Sequence, residues 1–468
     1  MIVSDPVTLR SRRGRWVLAV TVLGTGIALL EATIVNVALA TLGRDLDAGV
    51  DDIQWVVNAY MLTLASLILF GGALSDRIGR RRVFVIGIVW FSVASALCAV
   101  APSVGVLIAA RALQGVGGAL LTPGSLAIIG AAFVPEDRAR AIGAWTGFVS
   151  IAAAIGPLLG GWLVDVSSWR TIFLINVPIG VVVVFLALRH VPESRDADSA
   201  GRLDVGGAIL ATIALGGITV ALIQAPAGTS TALVVAAGLV GIAAAVGFVL
   251  VERRHPRPML PLGLFRSRRF SGANALTFVV WGPISAIFLF LVVYLQVSLG
   301  YTPLQSGAAL LPITVVMLAL SARVGALAQR IGARPFLTLG PLLFGVGVLA
   351  IRTIEPGDDY WTDILPPLVL FALGLVSLVA PVTAVALQGA GTRYAGVASG
   401  VNNAVARTAQ LLAIAVLPPL AGLSGDAYTD PLAVAEAFRT AMTICAGVAA
   451  VGAVIGYITI RGPATPAR

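Results

Sequence analysis

Residues 72–82 read GALSDRIGRRR, and a near copy, GALAQRIGARP, recurs at residues 325–335. The two copies begin 253 residues apart (325 minus 72). Each copy follows a long apolar run and precedes another. Each is therefore predicted to be a short, Arg-rich connection between two hydrophobic helices at one face of a membrane. A repeat of this length in an apolar chain predicts two homologous helix bundles.

The composition sets the class of protein. Of 468 residues, 58% are hydrophobic and 11% are charged, which predicts an all-α polytopic membrane protein that sits in a lipid bilayer. The net charge of +9 comes from arginine alone, since the chain contains no lysine. These arginines are spread over the connections and form no single basic face. The pattern indicates a role in membrane topology and argues against a nucleic-acid partner.

The residue types that usually carry enzyme or metal chemistry are sparse. Cys98 and Cys445 lie inside apolar runs, where a thiol behaves as a small hydrophobe. His190 and His255 lie in polar connections without a second ligand at metal spacing, so we expect solvated side chains and no metal site. No nucleophile–base pair and no phosphate-binding GxxxxGK loop is present. We expect no cofactor and no enzymatic or ATP-driven activity.

Apolar runs of bilayer-spanning length predict fourteen transmembrane helices. The first run, from Trp16 to Ala40, is too long for a secretory signal peptide. The predicted spans are 16–40, 53–75, 83–102, 105–128, 140–163, 171–189, 204–224, 231–251, 271–297, 305–328, 335–353, 364–389, 396–422 and 437–460.

The charges between these spans alternate as the positive-inside rule requires. One face collects arginines and the opposite face is poor in arginine and often acidic, so both termini are predicted to be cytoplasmic. The arginine-rich face includes Arg77, Arg80, Arg81, Arg82, Arg138, Arg140, Arg195, Arg202, Arg253, Arg254, Arg257, Arg330, Arg334, Arg393 and Arg461. The other face includes Asp45, Asp51, Glu355, Asp358, Asp426 and Asp430.

The repeat offset also locates an insertion. Six helices end near Arg189, yet the second copy of the repeat lies too far along for two abutting six-helix halves. The surplus is one pair of helices, flanked by polar stretches at 190–204 and 252–269. We predict a six-helix bundle over 1–190, two inserted helices with cytoplasmic linkers over 191–269, and a second six-helix bundle over 270–468.

Five stretches resemble the motifs of the fourteen-helix drug:proton antiporters of the major facilitator superfamily. They are LLEATIVNVALA (29–40), GALSDRIGRRR (72–82), RALQGVGGA (111–119), Gly143 followed by GPLLGG (156–161), and SGVNNAVARTAQ (399–410). The chain departs from the family pattern at Glu31, Ala40, Ala152, Thr408 and Gln410. The stretch at 72–82 is specific to the superfamily, whereas the helix 5 stretch is the most specific to antiporters.

The resemblance implies a major facilitator fold and a function. We expect a proton-coupled antiporter that exports amphipathic or lipophilic small molecules, such as drugs, antibiotics or a secondary metabolite, across the cytoplasmic membrane by alternating access. We also expect the protein to be a monomer. The alternative is a proton-coupled or facilitative transporter of a specific metabolite or nutrient, which would use the same fold without the helix 5 motif.

Glu31 and Arg111 are the candidates for proton coupling. The resemblance links the arginine of the helix 4 motif to this role, and physical chemistry supports it for Glu31. A carboxylate in the middle of a membrane helix costs a few kcal/mol unless it is protonated, paired or in contact with water. Reversible protonation would explain why a carboxylate stands at position 31. The simpler alternative is that Glu31 is hydrogen-bonded within the bundle and only locks helices together. Arg111 lies near the start of its predicted span, 105–128, so snorkelling to the interface is an alternative to a coupling role.

The remaining candidates fall into three groups. The loop motif is expected to form a gate clasp, in which Gly79 allows a tight turn and Asp76 pairs with an arginine. It comprises Gly72, Asp76, Arg77, Gly79, Arg80 and Arg81. In the second copy Gln329 replaces Asp76, so only the first half can form the charged clasp. In the helix 5 motif, glycines permit close packing and a proline permits a bend. This motif comprises Gly143, Gly156, Pro157, Gly160 and Gly161. Weaker candidates for a substrate cavity are Asn36, Gln114, Asn403 and Arg407.

Overall fold

The computed structural model describes residues 7–195, 204–225, 230–255, 258–390, 395–423 and 430–460. The chain divides into two compact units, 1–261 and 262–468. The inserted helices belong to the first unit. Several residues of the sidedness prediction, Arg202, Arg257, Arg393, Asp426 and Arg461, lie outside the described residues.

The first unit consists of helices that begin at a Ser-capped turn, where Ser11 Oγ accepts a hydrogen bond from Gly14 N at 3.0 Å. They are α1 (Arg12–Asp45), α2 (Val50–Ile78), α3 (Arg80–Ala99), α4 (Val104–Ala132), α5 (Pro135–Val166), α6 (Arg170–Leu174), α7 (Asn176–His190), α8 (Val205–Gln224) and α9 (Thr231–Arg254).

The second unit is also helical. It begins with a short 3₁₀ turn (Leu262–Arg266) and contains α10 (Arg268–Val297), α11 (Pro303–Ala309), α12 (Leu311–Ile331), α13 (Arg334–Ile351), a π-helical turn (Tyr360–Ile364), α14 (Leu365–Ala390), α15 (Ala395–Leu420) and α16 (Pro431–Thr459).

Thirteen segments of the described residues are long and apolar enough to cross a membrane, which confirms the predicted all-α polytopic class. Helix α5 is not among them, and its apolar described part is the shorter segment Ile155–Val166. The count of fourteen spans and the division into three parts remain predictions.

The repeat is visible in both backbone and packing. Gly79 and Gly332, 253 residues apart, join α2 to α3 and α12 to α13 with positive φ angles of 131° and 95°. Such angles favour glycine, which has no Cβ to clash. Helix pairs α1–α5, α2–α4 and α3–α4 in the first unit correspond to α10–α15, α12–α14 and α13–α14 in the second. A Cβ on Gly117 would lie 2.7 Å from Phe91 N, and one on Gly374 would overlap Phe344 N.

Two predicted spans are interrupted where the sequence analysis treated them as continuous. The span 171–189 breaks between α6 and α7, and the span 305–328 breaks between α11 and α12. Pro178 and Pro312 follow these breaks by a few residues. Proline lacks the N–H that would bond the carbonyl four residues earlier, and its ring crowds that carbonyl, so the helix is interrupted one turn upstream.

His190 is half-buried, not a fully solvated residue of a connection as predicted. His190 is the last residue of α7, and its ring stacks on Trp16 with 5.0 Å between the ring centroids. Arg13 Nε donates to the His190 carbonyl at 3.4 Å. The start of α1 therefore packs against the end of α7. Cys98 and Cys445, by contrast, are both buried and free, as expected of small apolar side chains.

Candidate functional site

Five polar side chains from four helices form a closed set of hydrogen bonds inside the first unit, called here the polar ring: Glu31, Ser95, Arg111, Gln114 and Asn176. Arg111 Nη1 lies 2.8 Å from Glu31 Oε1 and donates to Gln114 Oε1 at 2.6 Å. Gln114 Nε2 donates to Ser95 Oγ at 2.7 Å. Asn176 Nδ2 donates to Glu31 Oε2 at 2.6 Å and to Ser95 Oγ at 3.4 Å. The ring thus joins α1, α3, α4 and α7.

Arg111 is buried on every side. Its side chain is 1% exposed and that of Glu31 is 0% exposed. Arg111 Nε donates to the Val56 carbonyl at 3.0 Å. The guanidinium carbon lies 4.4 Å from the ring centroid of Tyr60. Arg111 is the eighth residue of α4, since the helix begins at Val104. These contacts exclude the snorkelling alternative for Arg111.

Such a pair needs its full set of partners. Removing two charges from water costs several kcal/mol per ion, and mutual attraction offsets this only when the remaining donors and acceptors are satisfied. In the ring both oxygens of Glu31 accept hydrogen bonds, from Arg111 and from Asn176. The ion pair therefore joins α1 to α4, Asn176 links it to α7, and Ser95 of α3 joins the set through Gln114 and Asn176.

The helix 5 motif packs on the turn of α1 that carries Glu31. A Cβ on Gly156 would overlap Thr33 Oγ1, and one on Gly160 would overlap the Ile34 side chain and lie 3.0 Å from the Ile34 carbonyl oxygen. Pro157 and Gly161 are buried in the same stretch. Gly143 is exposed, with open space where a Cβ would stand. The close approach of α5 to α1 therefore involves Gly156 and Gly160 and not Gly143.

The loop motif forms the predicted charged pair. Arg80 Nη2 lies 2.8 Å from Asp76 Oδ1. A further acid, Glu193, lies in the segment after α7. Its Oε1 accepts a hydrogen bond from Arg81 N at 3.1 Å, and its Oε2 lies 3.7 Å from Arg82 Nε. Arg80 N also donates to the Ser194 carbonyl at 2.9 Å. The start of α3 is thus tied to the segment after α7.

Two other members of the loop motif make weaker contacts. A Cβ on Gly72 would be in ordinary contact with Pro123, at 3.6 Å, and Arg77 is exposed. The second copy of the motif is built differently. The guanidinium carbon of Arg334 lies 4.4 Å from the ring centroid of Tyr457 in α16. The two halves were predicted to differ because Gln329 replaces Asp76. They also differ in the contact that an arginine of the motif makes.

The second unit has an uncharged polar network. Asn402 in α15 is 6% exposed, and its Nδ2 donates to Asn274 Oδ1 at 3.1 Å and to Thr277 Oγ1 at 2.8 Å in α10. The predicted residues Asn403 and Arg407 are half-buried and bond within their own helix, to the Ser399 carbonyl and to the Gln410 side chain. Asn402, which was not among the sequence candidates, makes the buried contact between α10 and α15, and the cavity role of Asn403 stays a prediction.

The structure gathers Glu31, Arg111 and Gln114 into the ring, whereas Asn36 is half-buried five residues further along α1. Sequence reasoning missed Asn176, Ser95 and Glu193. A lone amide inside the apolar span 171–189 was a usable signal for Asn176. Serine is common in membrane helices, and Glu193 stands among other charged residues in the sequence. Neither Ser95 nor Glu193 therefore gave a usable sequence signal. Tyr60 is buried, and its ring faces the guanidinium of Arg111.

The fold and the site together define a membrane-embedded helical transporter. The family model of the Major Facilitator Superfamily matches residues 21–412. The chain belongs to this superfamily.

Curated relatives and solved structures agree with this assignment. The chain is 38% identical to the multidrug resistance protein Stp of Mycobacterium tuberculosis, over 85% of this chain and 74% of Stp. It is 33% identical to the tetracenomycin C resistance and export protein of Streptomyces glaucescens, over 97% of this chain and 85% of that protein. A crystal structure of a POT family transporter superposes with a TM-score of 0.70 at 16% identity, covering 94% of each chain, which supports the fold.

Proposed function

We propose that the protein is a proton-coupled antiporter that exports amphipathic or lipophilic small molecules by alternating access. The buried Glu31–Arg111 pair, 2.8 Å apart, carries the proposal. Relatives named for multidrug resistance and for antibiotic export support the direction and the class of cargo. The proposal places the protein in the cell membrane as a monomer with both termini in the cytoplasm. It assigns the protein no enzymatic activity and no cofactor.

The charge of the ring explains how proton and cargo would exclude each other. With Glu31 ionised, the pair has no net charge. Protonation of Glu31 leaves the guanidinium of Arg111 unopposed, and in a medium of low dielectric this positive charge repels a cationic cargo strongly. Binding of the proton therefore disfavours binding of the cation. This exclusion is the requirement for antiport, and it needs a single titrating side chain.

The connections of the ring would convert this charge change into movement. Protonated Glu31 binds Arg111 and Asn176 less strongly, because hydrogen bonds to ionised groups are roughly twice as strong as neutral ones. Arg111 and Gln114 lie on α4, Ser95 on α3 and Asn176 on α7, while α5 packs on the Glu31 turn through Gly156 and Gly160. Protonation thus loosens a junction of several helices at once. The loop motif, with Asp76 paired to Arg80, would act as a clasp between α2 and α3.

Glu31→Gln tests the coupling. We expect the variant to exchange a neutral lipophilic cargo, and to lose the accumulation of ethidium, a lipophilic cation, that a pH gradient drives. The measurement is ethidium transport together with a pH-sensitive dye in inverted membrane vesicles. Glu31→Asp, which restores the acid of the family motif, is expected to keep coupled export.

The buried arginine requires a matched control. Removing one partner of a buried ion pair costs about 3–5 kcal/mol, because it leaves the other charge uncompensated. The double variant Glu31→Gln/Arg111→Gln removes both charges and is also expected to be uncoupled if it folds. Undiminished accumulation of ethidium by Glu31→Gln, with a normal proton response, would remove Glu31 from the coupling role. Tetracenomycin C and lactose complete the panel, since a response to lactose alone would favour the metabolite or nutrient transporter.

A further inference from the structure

The inserted helices hold a second set of buried acids, separate from the polar ring. Asp204 immediately precedes α8 and is 4% exposed, and Glu252 lies in the last turn of α9 and is 2% exposed. Asp204 Oδ1 accepts a hydrogen bond from Gly207 N at 2.7 Å and so caps α8. Glu252 Oε2 accepts one from Leu260 N at 3.1 Å, in the segment that follows α9. One oxygen of each acid is thus engaged.

The other two oxygens, Asp204 Oδ2 and Glu252 Oε1, are buried and have no hydrogen-bond partner among the described residues. The two carboxyl groups lie within hydrogen-bonding reach of each other. A buried polar atom left without a partner costs about 1–3 kcal/mol. Two buried acceptors on neighbouring acids, each without a donor among the described residues, therefore indicate a proton bound by the pair.

We propose that Asp204 and Glu252 form a proton-binding site in which the two acids share one proton. In its simplest form the hydroxyl of protonated Glu252, at Oε1, donates to Oδ2 of ionised Asp204. A single hydrogen then satisfies both unpartnered oxygens. Two carboxylates at such close range in a buried place resist ionising together, so the pair takes up its first proton more readily than either acid would alone.

The surroundings of the pair are consistent with a shared proton. The charged groups that act on Glu252 are Asp204, from the start of α8, and His255, one residue past the end of α9. Arg253 and Arg254 are exposed. No buried arginine or histidine among the described residues is paired with Asp204 or Glu252, in contrast to the pairing of Glu31 with Arg111.

The shared proton ties together the start of α8, the end of α9 and the returning segment near Leu260. Because α8 packs on α2 as well as on α9, this junction connects the inserted helices to the six-helix bundle of the same unit. Release of the proton would leave two adjacent negative charges and weaken the junction. This inference is independent of the proposed transport function, because none of its residues belongs to the polar ring or to the loop motif.

Thermal unfolding of the purified full-length protein in detergent, measured from mildly acidic to mildly alkaline pH, tests the proton site. The folded pair holds a proton that the unfolded chain has released, so stability falls as the pH rises through the range in which the pair ionises. Glu252→Gln supplies an amide donor that cannot ionise and is expected to lose this part of the pH dependence. Asp204→Asn is expected to do the same. Glu436→Gln, at an exposed acid of α16, is the matched control and is expected to keep the wild-type slope.

Infrared difference spectroscopy of the wild-type protein provides a readout that does not depend on how well a variant folds. We expect a protonated-carboxyl C=O band that disappears as the pH rises and that is absent in Glu252→Gln. The proposal is overturned if that band persists in Glu252→Gln and Asp204→Asn, or if their melting temperatures follow the wild-type pH slope. It is equally overturned if Na⁺ or Ca²⁺ at constant ionic strength raises the wild-type melting temperature at alkaline pH and not that of Glu252→Gln, because the two oxygens would then hold a metal ion.

Discussion

At the scale of single residues, the polar ring shows how an apolar bundle accommodates two opposite charges. Arg111 makes an ion pair with Glu31, a hydrogen bond to Gln114, a bond to a backbone carbonyl and a contact with the face of Tyr60. The second oxygen of Glu31 depends on Asn176. Removing any one of these side chains leaves a buried polar atom without its partner, and the cost is largest where the partner is charged.

Asn176→Ala is predicted to lower stability by about 1–3 kcal/mol, because Glu31 Oε2 loses its donor inside the bundle. A fall in the melting temperature of the purified protein measures the loss. The pH at which vesicle transport is half-maximal is expected to shift as well, since Asn176 stabilises the ionised form of Glu31. Asn403→Ala is the matched control, because the Asn403 amide bonds the carbonyl of Ser399 in its own helix. An equal fall in both variants would contradict a special role for Asn176.

At the scale of elements, the approach of α5 to α1 is set by two glycines. Gly156 and Gly160 meet Thr33 and Ile34, which lie within one turn of Glu31. Small residues let membrane helices pack with their backbones close together. The position of Glu31 relative to Arg111 therefore depends on residues that never touch either charge.

Gly160→Ala is predicted to force α5 away from α1, since the added methyl group would overlap Ile34. Overpacking of this kind costs about 1–3 kcal/mol. Both melting temperature and pH-driven export in vesicles are expected to fall. Gly143→Ala, in the same helix and the same motif, meets open space and is expected to leave both unchanged. If the two variants behave alike, close packing does not explain the motif.

At the scale of the whole molecule, a repeat of 253 residues generates two units with corresponding helix pairs. The units differ in their polar interiors. The first contains the charged ring, whereas the second contains the neutral network of Asn274, Thr277 and Asn402. The loop motifs differ likewise, with an Asp76–Arg80 pair in one and an Arg334–Tyr457 contact in the other. The repeat thus preserves helix packing while the polar chemistry has diverged.

The topology prediction follows from the arginine distribution. Reporters fused after Arg195 and after Arg257 are expected to read cytoplasmic, and a reporter inserted near Asp358 is expected to read external. Fusions to alkaline phosphatase, which is active outside the cytoplasm, and to green fluorescent protein, which is fluorescent inside, make the distinction. An external signal after Arg257 would refute fourteen spans, because two inserted helices must return the chain to the cytoplasmic side.

The sequence by itself determined the membrane class, the repeat, most of the spans and the candidates Glu31, Arg111 and Gln114. Long apolar runs, charge bias and a charge inside a membrane helix are local properties, and a single stretch of chain displays each of them. Only the tertiary structure decided that Glu31 pairs with Arg111, 80 residues away, and bonds Asn176, 145 residues away. It also decided that Asn402 and not Asn403 links two helices, and that Gly160 and not Gly143 packs closely. Helix rotation and packing set these choices, and positions one residue apart on a helix face directions about 100° apart.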